Sequence, residues 1–587
     1  MRYSASLPPK DEILGVLSPH ARPHGSRISA RRATAGFLLL VLGSPAGWTA
    51  GETRASAGES IYMRGVLASG ASLEGSRQGA SVTKGAQAAC VSCHRRSGLG
   101  TTEGRIVIPP IAGRYLFHAR KTDFDEADLP YIESERSNRD PYTDATLARA
   151  IREGLDSEGT PLGYLMPRFA LGDADMAALL DYLKKLEARR APGVTDTLLH
   201  FATIITPDAD PVKRRGMLDV MQRYFADKNV FPFGKSPAMR STGKTVYSKS
   251  MYMVKRQWQL HVWELTGPAA TWSNQLRRHL ADEPVLAAVS GLAGSNWAPV
   301  HEFCEREHLP CLFPNVEVPV VANHDFYTLY FSQGVLLEAQ LIAQRIGESG
   351  AAHIGAAGQG VAGRGAPVKL VQQIYRAGDS GEPAAAVLAA ALKTRGIAVH
   401  DVVLANGSAG QPLAEALRGA SSADALVLWL RPGDVAALGD AAPSPPTVYM
   451  SGLMGGLERS PLPAGWRSRT RLAYPFDLPD NSRVRVDYPL GWFSMRHIPL
   501  VAEQVQVDTY LACGLLAETL SHMADAFVRD YLVERTEEML EHRVLTGPYP
   551  HLTLAEGQRF ASKGGYVVQF AGEGTRLTAD GAWTVPE

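Results

Sequence analysis

The chain has 587 residues, 45% of them hydrophobic, which is far beyond one hydrophobic core and sets an expectation of two or three domains. Lys and Arg number 60 and so do Asp and Glu, and the resulting zero net charge argues against nucleic acid or anionic membrane as an obligatory partner. Taken in order, the first feature is the apolar run Ala35 to Gly43 (AGFLLLVLG) behind Arg27, Arg31 and Arg32. It is too short to span a bilayer and has the form of the apolar centre of an export signal. Small Ala55 and Ala57 place cleavage after Ala57, whereas cleavage after Ala50 would put bulky Trp48 at the third position back. Residues 1–57 are therefore read as signal and leader, which puts the rest in the periplasm, anchored there if the signal is left uncleaved.

Glu59 to Gly65 is predicted as a short helix with Ile61 and Tyr62 on its apolar side, and the Gly- and Ser-rich stretch Ser69 to Gly85 as loop. Then comes Cys90-Val91-Ser92-Cys93-His94. Two thiols three residues apart can add across the two vinyl groups of one porphyrin, and the adjacent imidazole then lies under the iron as an axial ligand. A redox dithiol or half of a zinc site would use the same two cysteines, but no second CxxC follows and the immediate His fits haem better. Further on, Thr143-Asp144 is predicted to cap a helix with Leu147, Ala150 and Ile151 on one face and Gly154 at its end. A loop with Tyr164-Leu165-Met166-Pro167 leads to another amphipathic helix from Asp173, with Leu179, Leu180, Leu183 and Leu186 inward.

With these residues in hand, about Gly58 to Leu186 resembles a class I cytochrome c domain. The resemblance implies one covalently attached haem c, with Cys90 and Cys93 at the thioether positions, His94 as proximal ligand and Met166 as distal ligand. Pro109-Pro110-Ile111-Ala112-Gly113 resembles the family's Pro-x-Leu-x-Gly segment, which implies that the Pro109 carbonyl accepts a hydrogen bond from the proximal ring. The acidic and basic insertion between Gly113 and Thr143 departs from the family. Met176 and Met63 compete with Met166 but sit in helical patterns, where Met is ordinarily packing. His118 is a competing distal ligand. The domain is taken as 58–190, with a linker at 191–197.

From residue 198 to 587, β-branched apolar runs alternate with amphipathic helices. Phe201 to Ile205, Val285 to Val289, His353 to Ala356, Ala398 to Leu404, Ala425 to Leu430 and Thr447 to Met450 read as buried strands. Helices are expected near Val212 to Asp227 and Ala384 to Thr394. Such alternation predicts α/β architecture with mostly parallel sheets. The arrangement resembles the type I periplasmic binding protein fold of the branched-chain amino acid receptor class, in which two lobes close over a ligand. The fold class is thus multidomain: a small all-α cytochrome c domain followed by a two-lobed α/β periplasmic binding protein-like domain. The resemblance implies ligand contacts from the loop Ser290 to Ser295, with Asn296 beside it, and a facing wall including Tyr327 or Tyr330; a plain turn and ordinary core aromatics are the alternatives. Cys304 and Cys311, at a helix end and the next strand, are candidates for a disulfide in an oxidising compartment, with two buried thiols as the alternative. Cys513 reads as a core residue.

No phosphate-binding loop, dinucleotide fingerprint, HExxH or nucleophile elbow appears where it would need to be. The expected function is one-electron transfer by a single haem, with a periplasmic redox partner such as a dehydrogenase or another cytochrome. The receptor-like region is expected either to dock that partner or to bind a small molecule, which would make the chain a haem-linked sensor. A peroxidase-type enzyme would need Met166 not to bind.

Overall fold

A computed structural model describes residues 50–77, 82–103, 106–118, 139–186, 191–230, 256–322, 325–350, 368–405, 411–439, 447–523, 526–542, 547–554, 557–571 and 574–586. Most of the expected signal and leader, most of the insertion after Gly113, the last residues of the expected cytochrome c domain (187–190) and the strand expected at His353 to Ala356 lie outside these residues. No helix among the described residues is long and apolar enough to cross a membrane.

The first part is built on helix α1 (Ala50–Arg64), the single turns α2 (Val91–His94) and α3 (Gly113–Leu116), α4 (Asp144–Glu153) and α5 (Asp173–Lys185). Helix α1 begins ahead of the expected cleavage point and buries Ile61 and Tyr62. It presses closely on α5 at Gly58, where a β-carbon would fall 2.1 Å from the Ala178 carbonyl oxygen. As predicted, Thr143 caps α4, in a reciprocal box with Thr146, and Gly154 ends it in the left-handed conformation. The stretch read as loop contributes two short strands instead, β1 (Glu74–Ser76) and β2 (Thr83–Lys84), and a hairpin β3 (Thr101–Glu103) and β4 (Ile106–Ile108) follows the cysteine motif. Strand β5 (Arg168–Phe169) closes a small sheet in the order β2-β1-β5. The domain is therefore helical with two small antiparallel additions rather than purely helical.

Two α/β lobes follow. Lobe one holds β6 (Leu198–Ile205), β7 (Gln257–Glu264), β8 (Ala287–Val289), β9 (Cys311–Leu312) and β10 (Thr328–Leu329), all parallel, in the order β10-β9-β8-β6-β7. Its helices are α6 (Pro211–Asn229), opened by the Asp210 cap, α7 (Trp272–Asp282) and α8 (Ala298–Arg306). Lobe two holds α9 (Val335–Gly350), α10 (Gly381–Thr394) and a seven-stranded sheet. Its strands β11 (Leu370–Arg376), β12 (Ala398–Leu404), β13 (Ala425–Trp429), β14 (Thr447–Ser451) and β15 (Thr470–Tyr474) are parallel, and β16 (Tyr566–Phe570) and β17 (Leu577–Ala579) add an antiparallel hairpin at the edge. The full order is β12-β11-β13-β14-β15-β16-β17. The chain crosses between lobes after β10, after β15 and after the helix Arg529–His542, and the helix Glu503–Ser521 packs on α6.

The first part is not a bead on a string. Leu99, Ala112 and Tyr115 are buried in the same apolar cluster as Tyr531, Leu532 and Phe527 of the α/β body, while a second cluster belongs to the first part alone. Between the lobes, Lys213 of α6 meets Glu317 at 3.0 Å, and Arg431, just beyond β13, binds both Glu317 and Asp379.

Candidate haem site

Cys90 precedes α2, and the His94 amide donates to its carbonyl at 2.9 Å, so Cys90, Cys93 and His94 lie along one helical turn. Neither cysteine is in a disulfide, and both are half-buried. Burial pushes the Cys90 thiol up to about 12, so with no partner bound it is neutral.

His94 is buried, and its Nδ1 lies 3.0 Å from the Pro109 carbonyl oxygen. A carbonyl only accepts, so Nδ1 carries the proton and Nε2 keeps its lone pair for a metal. Burial lowers the ring pKa to about 4, against the opposing pull of Pro109, and the imidazole is neutral above that pH. Pro109 reaches the ring because the β3–β4 hairpin folds back on itself. At its root, Gly100 has φ +75, and a β-carbon there would sit 2.0 Å from the Ile108 carbonyl oxygen, so only glycine permits the closure. The amides of Ile111 and Ala112 then donate to Gly98 at 2.7 and 3.2 Å, tying the Pro109 segment to the loop after His94.

Met166 is half-buried in the loop between α4 and α5, where its amide donates to Gly163 at 3.1 Å and its carbonyl accepts from the Arg168 guanidinium. It packs on the apolar cluster that Cys90 and Val91 also touch. Met63 touches that cluster too, Met176 is buried within it, and His118 is exposed. A haem fits this donor set: paired thiols, a neutral imidazole with its second nitrogen fixed, and a loop thioether on a shared apolar surface.

A group that the sequence did not reveal completes the surroundings. Glu534, in the helix Arg529–His542, accepts from the amides of Arg96 at 2.7 Å and Ser97 at 3.1 Å and meets the Ser97 hydroxyl at 2.5 Å. The Tyr62 hydroxyl donates to the Arg95 carbonyl at 2.7 Å, and Arg95 itself has φ 64. The Arg96 guanidinium lies over Phe326 and Tyr327, 4.6 and 5.5 Å from the ring centres.

The residues expected to bind a small ligand are engaged otherwise. Ser290 is fully buried; its hydroxyl lies 2.8 Å from that of Thr509 and accepts from the Asn315 amide at 2.9 Å. Ser295 donates its amide and hydroxyl to Asp208, at 2.8 and 2.7 Å, and Asn296 accepts from the Ala298 amide at the start of α8. Tyr327 is at the junction with the haem segment rather than in a ligand wall, its hydroxyl donating to Asp530 at 2.5 Å. Tyr330 is buried and hydrogen-bonds His301 at 2.9 Å. At the carboxyl ends of β9 and β15, where α/β sheets ordinarily take ligands, aromatic rings of this chain stand in a row. Phe313 stacks on Phe331, Phe331 on Tyr549, and Tyr549 meets Phe476, with ring centres 4.3, 5.3 and 5.5 Å apart. A cavity of about 280 Å³ is lined by Tyr224, Asp227, Lys228 and Trp492, none of them an expected ligand residue.

The candidate disulfide pair takes the form of its alternative, two buried thiols. Cys304 and Cys311 are buried free thiols joined by a hydrogen bond, which together with burial holds the Cys304 thiol well above its ordinary pKa. Nearby, His301, Glu305 and Asp325 bring potential metal-ligand atoms within 4.8 Å of one another. They are satisfied without a cation: His301 bonds Tyr330 and Asp325, and Glu305 accepts the amides of Phe326, Tyr327 and Thr328. That cap holds the two aromatics against Arg96.

Several solved structures are similar to about two thirds of this chain. A leucine binding protein from Thermotoga maritima is 12% identical, covering 66% of this chain and 99% of its own, with TM-score 0.46. An ABC transporter substrate-binding protein from Sphaerobacter thermophilus is 14% identical, covering 66% and 98%, with TM-score 0.47. A solute binding protein from R. palustris, in complex with benzoate, is 10% identical, covering 66% and 97%, with TM-score 0.46. No curated protein sequence matches the chain. The family model described as cytochrome c matches residues 82–187, the segment that carries Cys90, Cys93, His94, Pro109 and Met166.

Proposed function

We propose that the chain is an exported one-electron carrier, in which Cys90 and Cys93 hold a single haem c and His94 and Met166 bind its iron. The observation that carries this reading is the buried His94 ring, whose Nδ1–H is fixed on Pro109 and whose Nε2 is left as a base beside the two thiols. The haem, once bound, supplies a single reversible electron. The chain would do the rest: His94 and Met166 would hold the iron and leave it no open position for peroxide or substrate, and the surrounding apolar cluster would keep water away. The electron leaves through contact with a redox partner such as a dehydrogenase or another cytochrome.

The α/β body acts in this reading as the base on which the haem domain is mounted and the partner docks. Supporting it, Ser290, Ser295, Asn296 and Tyr327 are held by neighbouring side chains or backbone, and the ends of the two sheets are spanned by aromatic packing.

The test is exported protein run on a denaturing gel and stained for haem, followed by a reductive titration. Covalent haem that takes up one electron per chain is expected, and the stain is lost in the double variant Cys90→Ala, Cys93→Ala. Haem that extracts from the wild type, or that stays fully bound in the double variant, overturns the assignment.

A further inference from the structure

The loop that follows His94 is held from outside its own domain. Glu534 comes from the far end of the sequence, yet both of its carboxyl oxygens are engaged by Arg96 and Ser97. The Ser97 hydroxyl accepts in turn from the Leu99 amide at 3.1 Å. From there the frame is continuous: Gly98 receives the amides of Ile111 and Ala112, and the Pro109 carbonyl just before them receives the His94 ring. A displacement of Glu534 therefore reaches the proximal imidazole through these hydrogen bonds and the short stretches of backbone between them.

We propose that Glu534 is a positioning residue for the haem, holding the loop after His94 in place and letting the α/β body set the reduction potential through the charge of this one carboxyl. This rests on the haem reading given above. Glu534 is 4% exposed, and no cation lies within ion-pair distance of it among the described residues. The charged and titratable groups that face it are Asp530 and Tyr531 on its own helix, Arg95 and Arg96 on the loop, and Tyr62 from α1. Burial raises its carboxyl to about 8, helped by Asp530 and opposed by the Ser97 bonds and Arg95. Glu534 is thus mostly neutral at pH 7 and becomes an anion in mildly alkaline solution. An anion there favours the oxidised iron, which carries one more positive charge; oxidation sends one electron to the electrode mediator and one proton from Glu534 to solvent. The linkage is reciprocal, so the carboxyl releases its proton more readily when the iron is oxidised.

The test is the midpoint potential of the haem-loaded full chain against pH, in the wild type, Glu534→Gln and Ser97→Ala. Gln keeps an oxygen for the two amides and removes the charge. In the wild type the oxidation equilibrium is expected to shift about tenfold as pH rises through 8, a fall in potential of about 59 mV, and Glu534→Gln is expected to show none of it. Ser97→Ala removes a bond that favours the anion and should move the fall to higher pH. Wild-type potential that is flat across this range overturns the inference even where Glu534→Gln does not fold, as does a fall that survives Glu534→Gln. Wild-type protein with no covalent haem would instead overturn the haem reading, which the stain reports separately.

Discussion

Leu99 tests whether the haem segment and the α/β body are one folding unit. Its side chain is 2% exposed and belongs to the apolar cluster of the body, not to the cluster formed by α1, α4 and α5. Leu99→Ala removes buried carbons and leaves a cavity, at a cost of about 3 kcal/mol. The resulting change in melting temperature depends on what melts with it, because unfolding entropy grows with chain length at about 2.1 cal/mol/K per residue. A haem segment of about 130 residues melting alone would lose about 11 °C, whereas a unit of more than about 500 residues would lose only about 3 °C. The shared core predicts the second outcome: one transition, seen at the same temperature by haem absorbance and by far-ultraviolet circular dichroism, displaced by about 3 °C in the variant. Two transitions, with the haem-reported one falling by about 11 °C and the other unmoved, would refute the reasoning.

Met166→Ala should abolish the weak far-red band that a Met sulfur gives on ferric haem; retention of the band, with loss in Met63→Ala or Met176→Ala, would move the ligand assignment. Arg431→Gln leaves Glu317 and Asp379 without their shared guanidinium. Chemical denaturation should show a loss of about 2–3 kcal/mol, less than for a fully buried pair because Arg431 is 33% exposed. Burial alone would raise the Glu317 carboxyl, but Lys213 and Arg431 outweigh it and hold it down to about 2. Its contribution is therefore complete above the ordinary carboxylate value and lost as pH falls through about 2. Acid unfolding of Arg431→Gln should accordingly begin at higher pH than in the wild type, and identical acid curves would discount the cluster.

The parts of this site that the sequence disclosed are those whose partners lie close along the chain. Cys90, Cys93 and His94 share one turn, Pro109 is one hairpin away from His94, and Thr143 and Gly154 bound α4 by local chemistry. Strands built of apolar runs were legible for the same reason, as in β6, β13 and β14. Strand β11 was not, because its centre holds Gln372 and Gln373. Both are buried, and they are tolerated there because their amides donate to the carbonyls of Ala416 and Ala385. Ser290 was legible as a loop residue after a strand, but the fate of its hydroxyl is decided by Thr509, far along the chain. Glu534 left no local signal at all: in Glu534-Arg535-Thr536-Glu537-Glu538 it reads as one more charge on a helix, and only tertiary packing turns it toward Ser97.

The same packing bears on how the two halves communicate. Coupling by lobe closure requires an open and a closed state whose free energies a ligand can reorder. Opening this body would separate Lys213 and Glu317 from Arg431 and pull apart the row Phe313, Phe331, Tyr549 and Phe476, which joins the carboxyl ends of β9 and β15. Each is a discrete loss, of ion pairs in the one case and of ring packing in the other. A buried carboxyl that gains or loses a proton asks for no such movement, because its charge acts on the haem while Arg96, Ser97 and Pro109 stay where they are. The two routes differ in what they leave behind. Lobe movement would change hydrodynamic size with redox state, whereas coupling through Glu534 changes proton binding and leaves size unaltered.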